Sequence, residues 1–265
     1  MKNFSSCTEN NAVKVVAFAF NLVERFSEEH IKAILQKAKE TEKVEEIFGE
    51  PKEQQMFSTT ISPDGTQQHA SGLGGIVFEI PNIDPVKPFG WRILINADQV
   101  LVQCMEYSSW QVAFEKLQNY MSLIFDFIEC DLLIRQISLE YLDEFILHNS
   151  ESEWKKELFA ENCSFILPNI YKLQDFWHIN HGYFVTKPEL DNYKLLDTLN
   201  INYFADEQDN MKEKIHIRTQ HNLLLNKKSY NAKIFFAYLE EMHTHSKAIF
   251  ETIIRKEVRN EFKKE

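Results

Sequence analysis

The stretch from residue 91 to 128 constrains the fold most. WRILIN (91–96) and VLVQCMEY (100–107) are apolar, alternating runs joined by ADQ, a short polar turn, and so read as a β-hairpin. The chain then enters WQVAFEKLQNYMSLIFDFIEC without a Pro or Gly. There Phe114, Leu117, Tyr120, Met121, Ile124, Phe125 and Ile128 recur at the spacing of a helix with a wide buried stripe. Ser108 is placed to cap that helix, with Gln111 as its capping-box partner.

Similar signals occur along the chain. Residues 13–23, VKVVAFAFNLV, read as a strand, and Ser27 caps a helix whose stripe is Ile31, Ile34, Leu35 and Ala38. QMFSTTI and GIVFEI read as strands, SPDG (62–65) as a turn, HASGLGG (69–75) as a flexible loop, and Pro81, Pro85 and Pro88 as a rigid connector. RQISLEYLDEFI (135–146) is a strand with charges inside it. Its period of two puts Arg135, Ile137, Leu139, Tyr141, Asp143 and Phe145 on one face, and Gln136, Ser138, Glu140 and Glu144 on the other. A short helix (SEWKKELFAEN), three strands (177–185, 193–204, 214–225) and one long helix from Ser229 to Phe262 complete the chain. Antiparallel meanders followed by helices predict an α+β fold, with antiparallel sheets packed by long amphipathic helices. The order also suggests two similar strands-then-helix halves, 13–148 and 149–262, packed as one unit.

The 265-residue chain can bury a substantial core, and its 21 Phe against seven Gly and seven Pro predict a dense one. A net charge of −11 opposes phosphate binding and favours a protein partner with a basic surface. The densest basic stretch, Arg255 to Lys264, alternates with glutamates as a solvated helix face does. Cys7, Cys104, Cys130 and Cys163 form no CxxC pair and read as free thiols. MKNFSSCTENN is polar and the apolar run after it is too short to span a bilayer, so a cytoplasmic protein without a membrane segment is expected.

Motifs that carry chemistry are scarce. There is no GxSxG, P-loop or GxGxxG pattern, and Gly72-x-Gly74-Gly75 precedes a strand, where no helix terminus can hold phosphate. Pro63-Asp64 with Glu79 lacks the lysine that a PD-(D/E)xK nuclease requires, and Pro63-Asp64-Gly65 suits a turn better. His178 and His181 are weak metal candidates because they fall on opposite faces of one strand; His243 and His245 likewise face different sides of a helix. No cofactor is expected. The interaction candidates are Tyr107, Trp110, Arg135, Glu140, Asp143 and Trp177: aromatic anchors, and charges within a strand. Glu140 calls for water or a cross-strand arginine such as Arg92 or Arg218.

The motif order resembles that of a sporadically distributed family of uncharacterised bacterial proteins. Tyr107-Ser-Ser-Trp110 matches its Tyr-x-x-Trp. Arg135 to Asp143 matches its Arg-x-Gly-Leu-Arg-Tyr-hydrophobic-Asn strand, with Ser138 for Gly, Glu140 for Arg and Asp143 for Asn, and His243 to Phe250 loosely matches its closing helix. The resemblance implies no established activity. Its sporadic spread is similar to that of mobile defence or toxin-linked loci. The expected function is therefore a non-enzymatic interaction or regulatory protein, such as an antitoxin-like partner in such a locus. The alternatives are an enzyme or small-ligand binder whose site, metal-dependent or not, is assembled from distant residues, and a nucleic-acid-binding protein.

Overall fold

The structure, a computed structural model, describes residues 3–8, 11–61, 67–82, 89–128, 132–151 and 153–262. The SPDG turn, Pro85, Pro88, Cys130 and the residues after 262 lie outside them. Ten strands form one antiparallel sheet: β1 (Phe4–Ser6), β2 (Val13–Leu22), β3 (Lys52–Ile61), β4 (Gln67–Ile80), β5 (Trp91–Asn96), β6 (Gln99–Cys104), β7 (Leu133–Leu147), β8 (Trp177–Thr186), β9 (Lys194–Asp206) and β10 (Lys212–Ser229). Their order is β3-β4-β5-β6-β2-β7-β10-β9-β8, with β1 against the end of β7. The helices are α1 (Glu28–Glu40), α2 (Glu42–Phe48), α3 (Trp110–Phe127), α4 (Trp154–Leu158), α5 (Ala232–Ile253) and α6 (Lys256–Phe262). The fold is α+β, and no helix among the described residues is long and apolar enough to cross a membrane.

Alternation decides how the layers meet. Val16, Phe18 and Phe20 of β2 lie level with Tyr141, Leu139 and Ile137 of β7, and those with Thr219, His221 and Leu223 of β10. This face is covered by the buried stripes of α3 and α5. The opposite face carries the even-numbered residues of β7 and β10. There Gln136, Ser138 and Asn222 hydrogen-bond one another, and Glu144 is held by Lys14 at 2.6 Å and His216 at 2.7 Å.

Four expectations are corrected. HASGLGG lies inside β4: Gly74 is the extra residue of a bulge between the Gln54–Gly75 and Gln55–Leu73 pairs, and a Cβ at Gly75 would sit 2.7 Å from the Ile95 carbonyl. The cap of α3 is Ser109, whose hydroxyl accepts from the Val112 amide, and not Ser108. The long terminal helix is two helices, because Ile254 leaves the helix to bridge Phe159 in extended conformation. Arg135 is exposed and does not share the apolar face. The ladders of β7 with β2 and β10 both shift register beside it, so the period of two breaks there.

Candidate functional site

The helix-covered face of the sheet carries two apolar clusters, and a polar seam separates them under α5. One cluster reaches Leu139, Tyr141, Leu195 and Leu223; the other begins at Phe145, Leu199, Ile201 and Ile217. Between them lie Asp143, Asp197, Thr219, His221 and Ser246, all buried. Burying polar groups in a core is costly unless each is partnered, so this seam is the candidate site.

At the outer end of the seam is a cavity of about 290 Å³. Its walls come from the β1–β2 connection (Asn11 to Val13), the start of α3, β7, β10, α5 and α6. Trp110, the first residue of α3, stacks on His243 of α5 with ring centroids 4.0 Å apart and planes 4° apart. The indole N–H of Trp110 donates to Glu240 at 2.9 Å, joining α3 to α5. Tyr141 Oη is 2.8 Å from His243 Nδ1, in a bond whose direction follows the imidazole tautomer. The Tyr107 ring stands edge-on to Tyr141 at 6.2 Å. Thr219 and Ser246 hydroxyls bond each other at 3.1 Å, and Lys247, Glu251 and Arg259 also line the cavity.

Asp143 is the unusual group. Its side chain lines the cavity, the residue is only 5% exposed, and its carboxylate has no hydrogen-bond or ionic partner among the described residues. Burial alone pushes it up to about 7. His243 moves the other way, down to about 4, from burial with help from the charge of Lys247, so its imidazole is neutral at neutral pH. Burial also raises the Tyr141 phenol. The cavity walls therefore combine aromatic rings, a neutral imidazole, the charged side chains of Lys247, Glu251 and Arg259, and one carboxyl group that changes charge near neutrality.

Deeper in the seam, Asp197 receives two imidazoles. His221 Nδ1 is 2.7 Å from its Oδ1, and His245 Nε2 is 2.7 Å from its Oδ2. Burial works to raise the Asp197 carboxyl, and these bonds outweigh it, so the net shift is downward. Burial lowers His221, which Asp197 offsets only in part.

The structure brings three of the six interaction candidates together: Tyr107, Trp110 and Asp143 line one cavity. The others lie elsewhere. Arg135 is exposed at its bulge, and Glu140 is on the opposite face, 3.4 Å from Arg218 of the neighbouring strand. Trp177 is buried against Trp154 and Tyr203. His178 is exposed, while His181 turns its Nε2 to the Phe165 carbonyl at 2.9 Å, so the two do not converge. Sequence reasoning missed Tyr141, Asp197 and His221, and it set aside His243 and His245 because their spacing puts them on different sides of a helix. The readable signal was a charged or polar residue on an otherwise apolar strand face: Asp197 between Leu195 and Leu199, and His221 beside Leu223.

No family model matches the chain, and no curated protein matches it.

Proposed function

We propose that this protein binds a small organic molecule carrying a protonated nitrogen in the cavity between α3, α5 and β7. The carrying observation is Asp143, a buried carboxyl group without a partner among the described residues, facing a space walled by Tyr107, Trp110 and Tyr141. Aromatic faces attract a cation, and a desolvated carboxylate completes its recognition. The volume is at the small end of ligand sites, which are on the order of 300–1,000 Å³. Binding ionises Asp143, so affinity for an ammonium compound rises with pH up to about 7 and then levels off.

A thermal-shift panel of alkylamines, polyamines, amino acids and choline-like quaternary ammonium ions, followed by calorimetry on hits, tests the reading. A hit that Asp143→Asn weakens at least tenfold supports it. Hits confined to anions, or equal affinity in the variant, would defeat it.

A second reading, a protein partner with a basic surface, is favoured by the edge strand β8. Phe184 on it is 60% exposed and the adjoining Phe176 is 55% exposed, in a chain of net charge −11. Copurification over a salt series tests it, and a chain that emerges alone at every concentration ends it. The two-halves expectation belongs with these proposals. In 13–148 and again in 149–262 a meander of strands ends in a helix, α3 or α5.

A further inference from the structure

The deeper part of the seam holds a second constellation, independent of the cavity. β9 supplies Asp197, β10 supplies His221 and α5 supplies His245. The antiparallel register sets Asp197 directly opposite His221, and α5 brings His245 down onto both. One ligand atom from each residue lies within 4.8 Å of the other two. The Asp197 and His221 side chains are 2% and 0% exposed, whereas the His245 side chain is 15% exposed. His221 Nε2, on the side of the ring away from Asp197, is buried and has no hydrogen-bond partner among the described residues.

We propose that Asp197, His221 and His245 form a binding site for one divalent transition-metal ion of the zinc class. Two imidazoles and one carboxylate suit zinc and its neighbours in the first transition row, whereas magnesium and calcium prefer oxygen donors. The ligands come from two adjacent strands and a helix, so an ion there fastens α5 to the sheet. Three protein ligands leave at least one coordination position for water or another small donor. The ring nitrogens that now face Asp197 become the metal-binding atoms, so each imidazole carries its proton on its far nitrogen when the site is loaded. A histidine pair on one strand, such as His178 and His181, has no comparable convergence.

The test uses the full, tag-free chain stripped with a chelator, then titrated with zinc by calorimetry and with cobalt by visible absorption. One ion per chain is expected, with cobalt bands characteristic of a low-coordinate nitrogen and oxygen site. His245→Gln, chosen because His245 is the least buried ligand, loses stoichiometric binding, while the control variant His178→Gln keeps it. A stripped chain that takes up neither metal overturns the proposal, as does a folded His245→Gln variant that binds like the parent. Should that variant not fold, X-ray absorption of the zinc-loaded parent decides. Two imidazole ligands are expected there, and fewer than two overturns the site.

Discussion

At the residue scale the decisive group is Asp143. Folding raises its carboxyl from the ordinary 3.8 to about 7, because burial disfavours the charge and no described residue compensates. Below about pH 4 the group is neutral in both states and costs nothing. As pH rises from about 4 to about 7 the folded chain must either hold a proton the unfolded chain has lost or bury a bare charge, and above that the cost is constant. Stability falls by up to ~4 kcal/mol over that range. Asp143→Asn removes this dependence. Denaturant unfolding at pH 5 and pH 8 is expected to show the variant gaining on the parent by a few kcal/mol at the higher pH. Equal gaps at both values would show that Asp143 is not buried unpaired.

Glu144, the next residue, has the opposite sign. Burial tends to raise it, but His216, Lys14 and Lys214 outweigh that and leave it at about 2. Its contribution is present above about 4.5 and disappears as pH falls toward 2. One strand thus carries adjacent carboxyl groups with opposed pH behaviour. The cause is the period of two: Glu144 meets cations on the open face, and Asp143 meets aromatic rings under the helices.

At the element scale the site depends on how α3 and α5 are held. Asn231 caps α5 by accepting from the Ile234 amide at 3.2 Å, and Ser109 caps α3 in the same way. Asn231→Ala is expected to cost about 1 kcal/mol and Asn231→Ser to restore most of it, as read from urea midpoints. Trp110→Ala removes both the stack on His243 and the bond to Glu240, and is expected to cost ~1–3 kcal/mol. Trp110→Phe keeps a stacking face and loses less. If Trp110→Ala left stability and ligand affinity unchanged, the α3–α5 junction would not be what shapes the cavity.

These elements also show what was legible. The hairpin of β5 and β6, the α3 stripe and the hairpin of β9 and β10 follow directly from alternation and from the apolar spacing of helices. The Gly-rich stretch misled because its glycines serve a bulge and close strand packing in β4, which only the neighbouring strands reveal. Tyr107, Trp110 and Asp143 stood out singly as aromatic anchors and a misplaced charge. Their convergence did not, since β7 and α3 meet in space through contacts with no local trace in sequence.

At the scale of the whole molecule, the sheet is continuous from β3 to β8, and β7 is bonded to β2 on one side and β10 on the other. The seam lies close to this centre. Groups with opposed signs then shape one stability curve. Acid removes the Glu144 contribution together with those of Asp206 and Asp209, which their bonds to Lys214 hold below the ordinary range, and the rise from about pH 4 to about 7 makes buried Asp143 costly. Maximum stability is expected near pH 4–4.5, above the loss of Glu144 and before Asp143 becomes costly, measured as denaturant midpoints across a pH series. Asp143→Asn is expected to move that maximum toward neutrality.

By itself the sequence determined most of the strands and helices, the α+β class and the two faces of strands whose period of two is unbroken, because these rest on spacing between near neighbours. It also marked Asp143 as a charged group on an apolar face, and left Asp197 and His221 unmarked. Only the tertiary structure decided which of these groups meet. Register set Asp197 opposite His221, and the path of α5 sent His243 to the cavity and His245 to Asp197. Distances across a folded core depend on how layers cross, and no periodicity along a chain encodes that crossing.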